Sequence, residues 1–484
     1  MVGNMAYAGR INTCRILDKL HIWIKQKNFK CLVMGKNNIE NKSFAYNLLY
    51  SLLKPWHNGL FYKKVFVLNK RNIPADGKLI FTPNHQNALM DALALLFNIK
   101  RQLIFVARAD IFKKKSIAAI LYFLKILPVY RIRDGFDSLK NNQETFKKTA
   151  DVLLEGNGLV ILPEGNHASS RSLRPLKKGF ARIAFQTEVE NDFKLGIQIV
   201  PVGIDYSNYY KIRETLIVNF GPPIKISDYK DLYEENPPVA LNKIREDLSQ
   251  AISGLMLDIK SKTHYNTYET IRGIYDYKKI DSTKGIIDES VAKFYADQIL
   301  VKKLFVYETN ELEKFELLAN QISKYEKKLA RKNISLKLFK PEELSFIKTI
   351  FNAALNMALL PVYLYSLILN FIPFQLSMAS GKILKDKQFQ SSFKLVISFL
   401  LFPIFYIIET LIIYSLFELP ISWYLFIVSQ IIASFIAIYI QKSSVTIFQK
   451  LRILLIRINN RAYFNELVDQ RKSILEKLNK IISI

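Results

Sequence analysis

The sequence predicts an α/β domain, then charged helices, then a membrane-embedded C-terminal part, and three observations lead there. Between Phe66 and Lys262 short apolar runs alternate with segments of helical length. From His264 to Lys348 the chain turns to charged helices, the clearest being Glu311–Lys332. Beyond lie two long stretches almost free of charge, Thr349–Gly381 and Leu395–Gln441. The 484 residues give room for two or three units with true cores, and the 50% of hydrophobic and 13% of aromatic residues exclude disorder. A formal charge of +27 asks for a polyanionic partner: nucleic acid, an anionic membrane surface or a phosphorylated substrate.

Residues 1–43 read as an N-terminal extension without an uninterrupted apolar core. The two cysteines, Cys14 and Cys31, both lie there, so no disulfide framework supports the body and a reducing, cytosol-facing compartment fits. An α/β domain is expected over 44–262. Its first segment, Phe44–Tyr50 with Trp56 and Phe61 behind it, has the pattern of an amphipathic helix, suited equally to a membrane surface or to core packing. The runs Leu79–Phe81, Leu103–Val106, Leu159–Leu162 and Ile199–Val202 read as its strands, with functional loops after them. Residues 263–348 are expected to be a charged helical linker.

The membrane segment is expected over 349–441. Its first run, 33 residues without Asp, Glu, Lys or Arg, contains Pro361 and Pro373, which predict a kink or break. Basic flanks favour a re-entrant course there, with one full crossing as the alternative. The second run carries only Glu409 and Glu418 in 47 residues, enough for two crossings over 395–417 and 421–440 with a tip at 418–420. The tail 442–484, with nine Lys/Arg against three Asp/Glu, is expected on the cytoplasmic side with the α/β domain.

Of the five histidines, His85 and His167 stand where chemistry is expected. His85 follows the strand Leu79–Phe81 in Asn84-His85-Gln86-Asn87-Ala88-Leu89-Met90-Asp91, so a carboxylate enters on the next helix. An imidazole paired with a carboxylate can act as a general base, although a structural histidine at a helix start gives the same spacing. His167 stands three residues after Glu164 and could pair with it; no metal-ligand spacing supports it as a ligand. A phosphate-binding glycine loop, a nucleophile elbow and a nucleic-acid motif are all absent from the sequence.

Downstream come Leu127-Pro128-Val129-Tyr130-Arg131-Ile132-Arg133, then the block Leu162-Pro163-Glu164-Gly165 followed by Leu173-Arg174-Pro175-Leu176-Lys177-Lys178-Gly179, then Ile199-Val200-Pro201-Val202. With the His85 block these resemble, in order and spacing, the four motif blocks of the phospholipid/glycerol acyltransferase family over about residues 60–225. The flank of His85 looks most like the glycerol-3-phosphate acyltransferase branch. The resemblance implies an α/β acyltransferase domain, a mixed sheet with flanking helices, bound to a membrane. It implies His85 as general base, Asp91 as its orienting acid, and Arg131 as the phosphate contact, with Arg133 a second candidate. It further places Glu164, Gly165, Lys177 and Lys178 at the acceptor and Pro201 at the acyl pocket. Acyl-CoA or acyl carrier protein would be co-substrate, with no cofactor and no metal.

One departure stands out: five residues, not the usual four, separate His85 from Asp91, and Met90 holds the standard position. In a continuous helix one extra residue would rotate the carboxylate by about 100°, so either the turn is looser or another group, Asn87 first, orients the ring. The implied reaction is acylation of glycerol 3-phosphate, or of lysophosphatidic acid as the alternative acceptor. A catalytically silent lipid-binding protein on the same fold is the competing class. A nucleic-acid binder explains the charge but not the charge-free runs.

Overall fold

The computed structural model describes residues 39–41, 43–130, 138–276, 288–384, 386–417 and 421–483. One mixed sheet organises the α/β domain. Its strands are β1 (Tyr62–Leu68), β2 (Lys78–Pro83), β3 (Leu103–Arg108), β4 (Ile126–Val129), β5 (Gly158–Val160), β6 (Ile197–Tyr206), β7 (Glu214–Phe220) and β8 (Ile224–Lys225). The order is β1-β7-β6-β2-β5-β3-β4, with β8 beside β6. Strands β6, β2, β5, β3 and β4 run parallel, whereas β7 and β8 oppose β6. The loops after β2, β3, β4 and β5 therefore gather at one edge, where open α/β sheets place their ligands.

Helices cover both faces: α1 (Phe44–Pro55), α2 (Leu89–Leu96), α3 (Lys115–Phe123), α4 (Ser138–Leu154), α5 (Gly179–Val189), α6 (Lys230–Glu235) and α7 (Pro237–Leu255). Alternation in the apolar strand β2 sends side chains to both layers. Ile80 belongs to one buried cluster with Phe180 and Ile183 of α5 and Ile244 and Leu248 of α7, whereas Leu79 and Phe81 belong to another with Met90, Leu93 and Ala94 of α2. Gly203 lets α7 dock against β6: a Cβ there would stand 2.3 Å from the Leu255 carbonyl oxygen. Tyr46 anchors α1 inward while Phe44, Leu48 and Leu52 face outward, one apolar stripe at helical spacing.

The linker becomes α8 (Tyr265–Ile274), α9 (Glu289–Asn310) and α10 (Leu312–Arg331). Then come α11 (Phe346–Ala358), α12 (Leu360–Lys382), α13 (Gln390–Leu416), α14 (Trp423–Asn459) and α15 (Arg461–Ser483). The third long apolar helix thus continues well past residue 441. The basic tail is also no separate unit, since Leu467, Ile474 and Leu478 of α15 share one core with Tyr268, Leu304, Phe315 and Ile322 of the linker. Its apolar residues recur every three to four positions, a stripe that the density of charge along the tail obscures in the sequence.

Among the described residues three helices are long and apolar enough to cross a membrane: Leu360–Lys382, Lys387–Leu416 and Trp423–Asn459. Pro361 opens the first and Pro373 lies inside it. Both domain-facing ends of the α13–α14 pair are fastened to the loop after β6. Ser391 and Lys394 donate to the carbonyls of Tyr209 and Tyr210, and Lys442 donates to those of Ile212 and Arg213 and pairs with Glu214 at 3.1 Å. The 418–420 tip lies outside the described residues. Asn356 bonds Ser444, and Gly381 packs on Lys394, both near those fastened ends, whereas Asn370 between them reaches the Gln430 carbonyl and Tyr406 midway along the pair.

Candidate active site

β2 delivers His85 to the functional edge. The strand ends at Pro83, and the chain turns through Asn84–Ala88 before α2 begins at Leu89. Asn84 pins the turn to β6, its Nδ2 donating to the Ile204 carbonyl and its Oδ1 accepting from the Ile204 N–H at 2.6 Å. The His85 Nδ1 lies 2.8 Å from Asp91 Oδ2, and the same oxygen accepts from the backbone N–H groups of Gln86 and Asn87 at 2.8 and 2.7 Å. The Tyr206 hydroxyl donates to Asp91 Oδ1 at 2.7 Å. Four donors thus hold one fully buried carboxylate. With Nδ1–H turned to Asp91, neutral His85 presents Nε2 as an acceptor, and no protein group among the described residues bonds to it. Burial, and after it the Asp91 charge, push the Tyr206 phenol well above its ordinary range, so it remains a donor.

The longer His85–Asp91 spacing is absorbed before the helix. Ala88 stands at φ +46°, ψ −125°, and the Met90 N–H donates to the Asn87 carbonyl at 2.9 Å. That is a turn of the II′ kind, whose first central residue is ordinarily glycine. Asn87 turns its side chain to the Tyr209 carbonyl, away from the imidazole, and Met90 is buried in the apolar layer.

Glu164, in the loop after β5, is buried against the same turn. Its Oε1 accepts from the His85 backbone N–H at 2.6 Å, and its Oε2 accepts from Arg174 Nε–H at 2.8 Å and from the Arg174 backbone N–H. Arg174 Nη2 donates onward to the His85 carbonyl at 3.2 Å. Burial raises the Glu164 pKa, and these hydrogen bonds oppose the rise. Glu164 therefore holds the backbone of His85, with both oxygens engaged by the protein. Gly165 adopts φ +72°, and Lys177 crosses beside it, its Cγ 3.4 Å from where a Cβ would stand. Lys177 is exposed and Lys178 half-exposed at the start of α5, and neither forms an ion pair among the described residues. Arg131 and Arg133 lie outside the described residues. Pro201 is buried within β6, in register with Thr82.

His167 does reach the site, but Glu164 is not its partner. Its ring lies 5.2 Å from that of His85, nearly perpendicular, and its Nε2 is 3.1 Å from Asp386 Oδ2. The Phe389 ring follows at 4.9 Å. Asp386 and Phe389 belong to the connection between α12 and α13, so a turn of the membrane part walls the His85 site. The sequence carries no signal for a contact across that separation. Neither Arg174, ten residues after Glu164, nor Tyr206, the last residue of β6, is marked by the sequence as part of the site. Among the described residues no group of three or more His, Cys, Asp or Glu side chains gathers to hold a metal.

Residues 64–205 match the family model described as Acyltransferase. Glycerol-3-phosphate O-acyltransferase 2 of Saccharomyces cerevisiae is 25% identical over 179 residues, 35% of this chain and 24% of that protein. Glycerol-3-phosphate O-acyltransferase 1 of the same yeast is 29% identical over 133 residues, 27% and 17% respectively. The 1-acyl-sn-glycerol-3-phosphate acyltransferase of Borreliella burgdorferi is 25% identical over 163 residues, 34% of this chain and 59% of that protein. The chain spans a quarter or less of the yeast proteins' length. The match encloses His85, Asp91, Glu164, Arg174 and Pro201. Residues 64–205 of this chain form a domain of the acyltransferase family.

Proposed function

We propose that this chain transfers a fatty acyl group from a thioester donor, acyl-CoA or acyl carrier protein, to a hydroxyl of glycerol 3-phosphate at a membrane surface. The observation that carries the reading is the His85–Asp91 pair at 2.8 Å inside an acyltransferase domain, with Nε2 left unbonded by protein. The acceptor hydroxyl gives its proton to Nε2 while its oxygen attacks the thioester carbonyl. As the tetrahedral intermediate collapses the C–S bond breaks, and the leaving thiolate takes the proton back from the imidazolium. Asp91 stabilises the imidazolium charge between these steps. Lys177, Lys178 and Arg131 supply positive charge for the acceptor phosphate, and no covalent acyl-enzyme is needed. The fastening of both ends of α13–α14 to the α/β domain supports placing that domain and α15 on one side, the cytoplasmic face where acyl thioesters are made.

The test is an assay of the purified full chain with radiolabelled palmitoyl-CoA against glycerol 3-phosphate, lysophosphatidate and lysophosphatidylcholine. The expected product is acylated glycerol 3-phosphate, lost in His85→Ala. Acylation of lysophosphatidate alone would reassign the acceptor. Transfer to no acceptor would leave the silent lipid-binding reading.

A further inference from the structure

A cavity of about 340 Å³ lies between α13, α14, the second half of α12 and the segment after α1. Its wall is nearly all hydrocarbon: Phe402, Ile407, Ile431 and Phe435 from the long pair, Met378 from α12 and Trp56 from the α/β domain. Such a lining does not hold water, which needs polar partners. The helices around it present outward apolar side chains such as Ile368, Leu411 and Ile432, so hydrocarbon is the medium at hand.

The domain end of the cavity is cationic. Lys394 lines it and donates one hydrogen to the Tyr210 carbonyl at 2.8 Å, which leaves two ammonium donors. Its stem packs on Gly381, where a Cβ would stand 2.9 Å from Lys394 Cε. The next residue, Lys382, ends α12 beside that contact and brings a second ammonium-bearing side chain to this end of the cavity. Among the described residues neither lysine has an acidic partner. Two ammonium groups at one end of an apolar slot are unfavourable alone and favourable around an anion.

We propose that this cavity takes the single acyl chain of a lysophosphatidate-class lipid, with its phosphate monoester between Lys382 and Lys394. A phosphate monoester carries nearly two negative charges at neutral pH and matches two lysines, which a zwitterionic headgroup does not. The volume is at the small end of ligand pockets and suits one chain rather than two. The ligand gains its meaning from the reaction proposed above, since lysophosphatidate is the product of acylating glycerol 3-phosphate. One loop joins the two places: the Tyr209 carbonyl accepts from Asn87 beside His85 and from Ser391, and the neighbouring Tyr210 carbonyl accepts from Lys394. The cavity is then the product's way from the site into the bilayer.

Trp56 reports occupancy directly. The full chain carrying Trp23→Phe and Trp423→Phe, in detergent micelles, is titrated with lysophosphatidate brominated on its chain, and separately with lysophosphatidylcholine bearing the same chain. Bromine quenches the Trp56 indole on contact. Saturable quenching by lysophosphatidate at about tenfold lower mole fraction is expected. Lys382→Ala with Lys394→Ala should erase that preference, and Ser434→Phe, which fills the cavity, should weaken quenching by both lipids. Should Ser434→Phe fail to fold, Met378→Phe fills it from the other side. Equal quenching by the two lipids, a preference that survives loss of both lysines, or quenching untouched by the filling variants overturns the proposal. Because the readout is binding, His85→Ala should give the same titration, and failure here is distinct from failure of the proposed reaction.

Discussion

Replacing Asp91 by asparagine separates the charge of the His85 partner from its geometry. Three donors converge on Oδ2, two of them backbone N–H groups at 2.7 and 2.8 Å. An amide nitrogen there would set donor against donor, so the amide oxygen takes that place and the NH₂ faces the Tyr206 hydroxyl, which can accept. His85 therefore keeps its Nδ1–H tautomer and orientation, and only the charge facing the imidazolium is lost. A unit charge pair about 4 Å apart at an effective dielectric of 20 is worth roughly 4 kcal/mol, and a neutral hydrogen bond retains about half the strength of a charge-assisted one. The remaining deficit, about 2–3 kcal/mol, lowers kcat by roughly thirty- to 160-fold. Initial rates at saturating donor and acceptor, with a melting curve as control for folding, measure it. A loss under threefold would show that the Asp91 charge plays no part. A loss near ten-thousandfold would show instead that the tautomer is not retained.

Three other outcomes are expected. Asp386→Ala should raise the acceptor KM several-fold with little change in donor KM, and this effect should vanish in a His167→Gln background, because Asp386 acts through His167; additive losses would refute the coupling. His57, buried against Tyr62 and Phe97, has its pKa lowered to about 4 by desolvation. Below its unfolded value near 6.5 the unfolded chain binds the proton first, so stability falls by up to about 3 kcal/mol between pH 6.5 and 4. Denaturant titrations of His57→Phe should show that slope flattened, and an unchanged slope would place the acid sensitivity elsewhere. For membrane sidedness, cysteines at Ser422 and Ser473, in a chain lacking Cys14 and Cys31, should label from outside and only after permeabilisation, respectively; the reverse pattern would invert the hairpin.

The α/β class, the four loop-bearing strands and the two charge-free runs were readable because period and charge are local properties of the chain. His85 and Asp91 were readable for the same reason, six positions apart after a strand. What escaped is what the fold brings from afar. Tyr206 reaches Asp91 only because β6 lies beside β2, and Asp386 reaches His167 only because the turn between two apolar helices folds back on the α/β domain. The tail misled for another reason: its lysines and arginines dominate the composition, while Leu467, Ile474 and Leu478 decide where it packs. Glu164 was placed near the acceptor by resemblance, yet its oxygens hold the His85 and Arg174 backbones, a use that sequence spacing does not reveal.

The Asn87–Met90 turn has a stereochemical consequence. At φ +46°, ψ −125° the Ala88 backbone is close to the mirror image of a conformation that L-residues adopt freely, so here an L-residue occupies ground suited to the opposite hand. Holding it there costs about 1–3 kcal/mol. A glycine would relieve that strain, and D-alanine introduced by chemical ligation would remove it while keeping a methyl group, now on the other side of the α-carbon. A β-branched L-residue would drive the turn toward ordinary helix and carry the carboxylate away from the imidazole. The handedness of one α-carbon thus sets the distance across which His85 and Asp91 meet.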